Sequence, residues 1–200
     1  MGYTFTPLSQ LDQAGLARLA TLHSAVMHTL LADLGAPLVL HYYEVAQTDA
    51  SALGLCAISA TGEIDGWAMG SPDPSALNAR LHQPATWFAG QMLRLGFTHP
   101  AALIDLLRAL VSASDANQLS PGQIELTYIG VAARAQGHGL GKELLAAFSA
   151  AARQAGYTSI ALSVETDNPA AVGLYTRSGF KVTKNFREGR FERQRMEYQL

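Results

Sequence analysis

A glycine-rich stretch, residues 131–141, carries the clearest chemical signal in the chain. It follows an apolar run of strand character, 124–131, and leads into an amphipathic helical pattern. Glycines let a backbone turn tightly and bring several N–H groups to one point. The positive end of the helix dipole adds to the attraction of such a turn for anions. The stretch therefore predicts a binding site for a phosphorylated ligand.

The spacing within this loop argues against two common nucleotide sites. A Walker-type loop needs a glycine where this chain has Gln136, and a serine or threonine where it has Glu143. A dinucleotide fingerprint needs Gly-x-Gly-x-x-Gly, whereas Gly137, Gly139 and Gly141 follow at intervals of two. The preceding chain also lacks repeated βαβ patterns. ATP, GTP and NAD are therefore poor fits by these routes.

Two sequence blocks are similar to one known family. The pattern Gln136-x-x-Gly139-x-Gly141 resembles the acetyl-CoA pyrophosphate loop of the GNAT superfamily of N-acetyltransferases. A second block resembles the family signature Asn-x-x-Ala-x-x-Leu-Tyr-x-x-x-Gly-Phe. Its residues here are Asn168, Ala171, Leu174, Tyr175, Gly179 and Phe180. The resemblance is strongest over residues 124–182 and loose elsewhere.

The resemblance implies a fold and a reaction. The fold would be a single α/β domain over residues 1–200, with a mixed central sheet of about six to seven strands flanked by helices. The reaction would move an acetyl group from acetyl-CoA, a cosubstrate, to a primary amine by direct attack in a ternary complex. The family's acetyl-CoA contacts fall on Ile129, Gly130, Val131, Gln136, Gly137, His138, Gly139, Leu140, Gly141, Lys142 and Asn168.

Two of these positions have simpler interpretations beside the ligand contact. His138 could touch a phosphate, or be an exposed loop side chain. Asn168 could orient the ligand, although its capping of the helix that follows is enough to explain it. In the family, the main-chain N–H groups near Ile129 to Val131 polarise the thioester carbonyl where two parallel strands splay apart.

Glu125 is the first candidate for the general base. Most primary amines are protonated at neutral pH, so a base that removes or relays a proton increases the reactive fraction. In some family members a glutamate at the matching place has this role, directly or through water. Strand alternation predicts Glu125, Thr127, Ile129 and Val131 on one face. A carboxylate at the solvated start of a strand is the other interpretation, and Glu165 and Asp167 are the reserve candidates.

Tyr175 is the candidate acid. It matches the family tyrosine that donates a proton to the departing CoA sulfur. A phenol has an ordinary pKa near ~10 and is therefore protonated at pH 7. Packing within a helix is the alternative role for this side chain.

The chain before residue 72 predicts strands and helices in alternation. A helix capped by Ser9 or Asp12 is predicted from apolar positions that continue to Leu34, and Gly35 and Pro37 should end it. The other predicted elements are a strand over 3–6, a short helix over 41–48, and strands over 53–59 and 64–71.

Residues 72–122 are predicted to form a helical insertion between the third and fourth strands. Its apolar pieces are 87–97 and 101–111. Because each piece carries apolar residues on more than one side, both must cover something. A packing role within the domain is the first interpretation, and an acceptor pocket or a homodimer surface is the alternative.

The remaining elements follow a regular pattern. They are a strand over 124–131, a helix over 139–155 stopped by Gly156, a strand over 159–164, a helix capped by Asn168 and closed by Gly179, and a strand pair from 180 to 198 that turns at 187–190.

Composition excludes several classes of protein. With 48% hydrophobic and 15% charged residues in 200, the chain is predicted to be a soluble globular protein. Its net charge of -2 gives no reason to expect a nucleic-acid partner. No apolar run of roughly 18 residues predicts a membrane span. Cys56 is the single cysteine, which excludes an intrachain disulfide and favours a cytoplasmic location. No histidine or cysteine spacing predicts a metal site.

The acceptor amine stays open at this level. In the related fold the acceptor pocket would be shaped by regions such as 41–44, 87–97 and 187–193. A small amine, an amino sugar and a peptide or protein amine all fit. The alternative function is a non-catalytic acyl-CoA sensor or interaction module that keeps the fold.

Overall fold

A seven-stranded mixed sheet forms the centre of the protein, in a computed structural model that describes residues 2–98, 119–188 and 191–200. The strands are β1 (Thr4–Pro7), β2 (Leu53–Ile58), β3 (Ile64–Ser71), β4 (Gln123–Val131), β5 (Ser159–Glu165), β6 (Lys181–Glu188) and β7 (Phe191–Gln199). Their order across the sheet is β1-β2-β3-β4-β5-β7-β6. β4 and β5 run parallel, and the other neighbouring pairs run antiparallel.

Helices cover both faces of this sheet. They are α1 (Gln13–Val26), α2 (Leu30–Asp33), α3 (Ala36–Gln47), α4 (Pro74–Arg80), α5 (Ala85–Thr98), α6 (Leu140–Gln154) and α7 (Pro169–Arg177). Short 3₁₀ turns lie at Leu8–Gln10 and Ala133–Ala135. The predicted α/β fold, with its mixed sheet and its helical insertion after the third strand, is confirmed. None of the helices in these residues is both long and apolar enough to span a membrane.

The sheet separates two apolar cores. On one side, here called the α1 face, α1 and α3 bury Tyr42, Tyr43 and Trp67. On the other, the α6 face, α6 and α7 pack with the sheet around residues such as Phe148 and Ile160. The β4 strand contributes to both cores and is therefore held from both sides.

The N-terminal helices differ from the prediction. Asp12 caps α1 as expected, accepting a hydrogen bond from the Gly15 N–H at 2.7 Å. The helix then ends at Val26, not near Leu34, because Met27 is extended. α3 begins at Ala36 rather than 41, because Pro37 lies in its first turn, where its missing N–H costs nothing. Pro37 therefore starts a helix instead of ending one.

The insertion between β3 and β4 contributes α4 and α5 to the described structure. The predicted helix over 87–97 lies within α5, and Trp87 and Leu95 pack against the core of the α1 face. Leu93 and Phe97 are exposed on the opposite side. The second predicted helix, 101–111, falls outside the described residues, as do residues 189–190 of the predicted final turn.

The C-terminal half agrees with the prediction. Asn168 caps α7 by accepting a hydrogen bond from the Ala171 N–H at 3.1 Å, with Pro169 at the first helical position. Gly156 and Gly179 follow the two helices with positive φ angles of 87° and 94°. The helices α6 and α7 therefore lie where the two sequence blocks place them.

Candidate functional site

The parallel strands β4 and β5 diverge near the middle of the sheet. Their pairing covers Gln123 to Glu125 of β4 and ends at the pair Glu125 and Ala161. β5 nevertheless continues, paired with β7, as far as Glu165. The space between residues 126–131 of β4 and 162–165 of β5 is called the fork below. Such a gap leaves backbone groups of β4 facing outward from the ladder.

A β-bulge interrupts β4 at the start of the fork. Opposite β3, Met69 pairs with Tyr128 and Gly70 pairs with Leu126, so Thr127 is an extra residue. The bulge shifts the side-chain alternation by one position. The prediction that Glu125 shares a face with Ile129 and Val131 is therefore wrong.

The two ends of β4 consequently present different faces to the fork. Ile129 and Val131 pack with the core of the α6 face, whereas Tyr128 packs with the core of the α1 face. Leu126, next to Glu125, belongs to the α6 face, which places the Glu125 carboxylate on the α1 face. The carboxylate and the chain beyond the bulge thus meet the fork from opposite sides of the sheet.

The backbone of β4 aims donors into the fork. The Ala132 N–H donates to the Asp65 carbonyl of β3 at 2.8 Å, which makes this a hydrogen-bonded pair. Because hydrogen-bonded and non-hydrogen-bonded pairs alternate in an antiparallel ladder, the N–H groups of Val131 and Ile129 point away from β3. The N–H of Gly130 points toward β3. Ile129 and Val131 are therefore the main-chain donors that face β5.

The glycine-rich loop closes one end of the fork. Gln136 donates from Nε2 to the Val131 carbonyl at 3.0 Å and ties the loop to the end of β4. Gly137 and Gly139 have φ angles of 79° and 88°, and an added Cβ on either would meet no atom within 4 Å. The loop surface is thus open at the N-terminus of α6, where N–H groups and the helix dipole favour an anion.

Side chains around the loop divide between solvent and core. His138 and Lys142 are exposed, and either could contact a ligand phosphate. Leu140 is buried in the core of the α6 face, so only its main chain could contact a ligand. A Cβ on Gly141 would lie 3.5 Å from Leu174 of α7. The fold therefore brings the two blocks of the sequence pattern together.

Tyr175 lies in α7 among the residues of the α6 face. It is 7% exposed, and its ring centroid is 5.7 Å from that of Phe180. Burial raises the pKa of its phenol above the ordinary value, which keeps the hydroxyl protonated at neutral pH. Among the described residues, none forms a hydrogen bond with this hydroxyl. Tyr175 thus has the protonation state of a donor and also fills a packing position.

Glu125 is buried at the point where β4 and β5 diverge. It is 9% exposed, which rules out the interpretation of a solvated strand start. Nη1 of Arg195, on β7, lies 3.1 Å from its Oε2 atom and also donates to Ser163 Oγ at 3.1 Å. Arg195 is not among the site residues predicted from the sequence. Its spacing of two from Arg193 in a predicted strand was the available signal of a charged face.

The reserve candidates for the base have less suitable surroundings. Glu165, the last residue of β5, forms an ion pair with Arg193 at 3.7 Å. Asp167 is exposed beyond the end of β5. Of these three candidates, Glu125 is therefore the carboxylate nearest in the chain to the bulge, at the point where β4 and β5 diverge.

Other reactive groups contribute little to this site. Burial raises the pKa of the Cys56 thiol to about 12, so it is not ionised at neutral pH. No group of three or more potential metal-ligating side chains occurs within residues 2–98, 119–188 and 191–200.

Comparison with known proteins gives one family. A model of the acetyltransferase (GNAT) family matches residues 24–180. A search of curated proteins gives no match.

Solved structures share the fold at low sequence identity. The ribosomal-protein-S18-alanine N-acetyltransferase from Escherichia coli has a TM-score of 0.62 at 15% identity, over 99% of this chain and 94% of that chain. The PaiA N-acetyltransferase from Thermoplasma acidophilum, in complex with coenzyme A, has 0.61 at 13%, over 100% of each. Mutant forms of the spermidine/spermine N-acetyltransferase from Vibrio cholerae have 0.59 at 14%, over 98% and 93%.

Proposed function

Because this chain belongs to the acetyltransferase (GNAT) family and is therefore an acyltransferase, we propose that it moves an acetyl group from acetyl-CoA to a primary amine. The transfer proceeds by direct attack of the amine in a ternary complex. The observation that carries the proposal is the fork, where two N–H donors on β4 lead to an open glycine loop at a helix N-terminus.

The geometry suits the parts of a CoA thioester. The N–H groups of Ile129 and Val131 would hold the pantetheine arm and the thioester oxygen along the edge of β4. The loop around Gly137 and Gly139 would bind the pyrophosphate through backbone N–H groups, as the φ angles of 79° and 88° and the open surface allow. Acetyl-CoA supplies the activated acetyl group, and this chain supplies the orientation.

Two side chains on opposite faces of the sheet divide the proton transfers. Glu125, on the α1 face, takes a proton from the amine directly or through a water. The neutral amine nitrogen then attacks the carbonyl carbon to form a tetrahedral intermediate. As the carbon–sulfur bond breaks, the nitrogen gives up its remaining surplus proton to solvent and the amide forms. Tyr175, on the α6 face, donates its phenolic proton to the leaving sulfur. Placement on opposite faces keeps the two proton transfers apart, because Glu125 acts on the incoming nitrogen and Tyr175 acts on the departing sulfur.

The acceptor belongs on the α1 face of the fork. Tyr128 lies there, half-buried, with its ring centroid 5.4 Å from that of Tyr42. The structural neighbours are named for acceptors as different as a ribosomal-protein alanine and spermidine or spermine. A small amine, an amino sugar and a peptide or protein amine are therefore all part of the proposal.

The first test is ligand-induced stabilisation. At ~100 times its dissociation constant, acetyl-CoA should stabilise the protein by about 2.7 kcal/mol, or roughly 5 to 10 °C in melting temperature. CoA should give a comparable shift, and NAD and ATP at equal concentration should give none. A panel of amines then identifies the acceptor by release of CoA thiol. Equal shifts with all four ligands, or none with acetyl-CoA, would contradict the proposal.

A Tyr175→Phe variant separates an enzyme from an acyl-CoA sensor. The variant removes one hydroxyl from a buried ring, so acetyl-CoA affinity should be nearly unchanged. Thiol release should fall by about 100-fold, a typical contribution of general acid catalysis. A wild-type protein that binds acetyl-CoA but acetylates no amine would favour the sensor.

A further inference from the structure

The side chain of Arg195 reaches across the sheet from β7 to β4, at the point where β4 and β5 begin to diverge. It lies on β7 and is 5% exposed. In the sheet it pairs with Ser163 of β5, to which its Nη1 donates. The same atom reaches past β5 to Glu125 of β4 at 3.1 Å. One guanidinium thus links β4, β5 and β7 at the last residue before β4 and β5 diverge.

This arrangement is more than a surface ion pair. A guanidinium group is planar, holds its N–H donors in a fixed geometry and does not lose its proton in a protein. Both Glu125 and Arg195 are almost fully removed from water. Their attraction is therefore screened less than that of an exposed ion pair, which is typically weak. Within the described part of the chain, nothing accepts a hydrogen bond from the buried Nη2 of Arg195. A buried donor without an acceptor is costly, which favours a role beyond packing.

We propose that Arg195 is a positioning residue for the acetyl transfer, because it fixes the orientation of the Glu125 carboxylate at the fork and holds it ready to accept a proton. The inference rests on the proposed function, in which Glu125 is the base. Arg195 makes no contact with substrate in this role. It acts on the reaction through Glu125 alone.

Other titratable groups around Glu125 could also influence its proton uptake. On the α3 side, Tyr42 is buried, and the burial raises the pKa of its phenol well above the ordinary value, so the ring is neutral. On β4, Tyr128 lies three residues further along the strand. On β5 and β7, Glu165 and Arg193 form their own pair at 3.7 Å. Arg195 is therefore the cation whose removal should be felt most directly.

The test compares the pH dependence of kcat/KM between wild type, two Arg195 variants and their controls. Arg195→Gln should lower kcat by about 10-fold or more, with little change in KM for acetyl-CoA. The acid limb of its profile should move to higher pH by about one unit, because a carboxylate that loses a neighbouring cation takes up a proton more readily. Arg195→Lys keeps the charge but not the planar geometry. The acid limb of its pH profile should stay where it is in wild type, and its kcat should lie between those of Arg195→Gln and wild type.

Arg193→Gln is the matched control. It lies on the same strand and face, two residues from Arg195, and forms an ion pair with Glu165. This variant should leave the acid limb where it is, whatever it does to the KM of the acceptor. A similar shift in both variants would show a general effect of charge and would overturn the proposal.

Further outcomes separate this proposal from the proposed function. If wild type releases no thiol with any amine, the proposed function fails first. If wild type is active but Glu125→Gln keeps its acid limb, Glu125 is not the base, and the role of Arg195 falls while acetyl transfer stands. If Arg195→Gln fails to fold, the Arg195→Lys profile decides: an unmoved limb with reduced kcat supports positioning, and full kcat contradicts it.

Discussion

Gly130 occupies a position on β4 where a side chain has no room. A Cβ added to this residue would lie 2.5 Å from two ring carbons of Trp67 and 3.2 Å from a methyl group of Val26. Trp67 is 1% exposed and packed among other aromatic rings, so it cannot move away cheaply. The glycine therefore lets β4 lie flat against the core of the α1 face, directly beside the donors of Ile129 and Val131.

A Gly130→Ala variant should be less stable than wild type. Overpacking of a filled core typically costs about 1 to 3 kcal/mol, and the free energy of unfolding should fall by that amount in urea titrations. Gly90 provides the control, because it lies exposed in α5 and its added Cβ would meet no atom within 4 Å. Gly90→Ala should stabilise the helix by up to about 1 kcal/mol. Equal stability of Gly130→Ala and wild type would contradict this account of the packing.

Individual residues differ in how far the sequence could predict them. The caps at Asp12 and Asn168 depend on neighbours three residues away, so a local pattern was enough to predict them. The burial of Glu125 depends on Arg195, which follows it by seventy positions in the chain. A local pattern carries no information about such a distant pair. From the sequence alone, Glu125 could therefore be interpreted either as a general base or as a solvent-exposed carboxylate.

Among the elements, the bulge in β4 has the largest effect on the site. Strand alternation correctly predicts the faces of Ile129 and Val131 relative to each other, but one extra residue at Thr127 changes their relation to Glu125. A bulge is set by the pairing of two strands and has no sure signature in one of them. The end of α1 before Met27 was equally hard to predict, because the helical spacing of apolar residues continues past this point in the sequence.

An ion pair between Arg134 and Asp65, separate from that of Arg195 and Glu125, holds the glycine-rich loop to the sheet. Arg134, two residues before Gln136, donates from Nε to Asp65 of β3 at 2.7 Å, and its Nη2 lies 2.6 Å from the same oxygen. Asp65 is 7% exposed, and its backbone carbonyl accepts the Ala132 N–H. The start of the loop is therefore fixed to β3 by a side chain and by the backbone of one residue.

An Asp65→Asn variant should weaken the binding of acetyl-CoA. Loss of the charged hydrogen bond frees the start of the loop, and a bond of this kind is worth about 1.5 to 3 kcal/mol. KM for acetyl-CoA should rise by roughly 10-fold, with a smaller change in kcat. Glu63→Gln is the control, because Glu63 lies 3.9 Å from Arg134 and both side chains are 58% exposed. If the two variants raise KM equally, Asp65 does not anchor the loop.

At the scale of the whole molecule, the α1 face hides a histidine inside an aromatic core. His23 is 0% exposed, its Nδ1 lies 2.7 Å from the Tyr43 hydroxyl, and its ring is 4.8 Å from that of Tyr128. Burial lowers the pKa of His23 to about 4, from an ordinary value near 6.5. The folded protein thus holds this ring neutral at a pH where the unfolded chain binds a proton.

Stability should therefore fall as the pH falls through the window between these two pKa values. Above about pH 6.5 both states carry a neutral His23, and its contribution to stability is complete. Below that pH the unfolded state takes up the proton first, and the loss continues until the folded state also binds it near pH 4. By pH 5 the free energy of unfolding should have dropped by about 2 kcal/mol from this group alone.

A His23→Gln variant isolates this contribution from those of the carboxylates. Wild type and variant should differ in the slope of unfolding free energy against pH between 7.5 and 5, with the wild type steeper, whatever their absolute stabilities. His138→Gln, in the exposed loop, should keep the wild-type slope. A variant slope equal to that of wild type would mean that His23 is not held neutral by its burial.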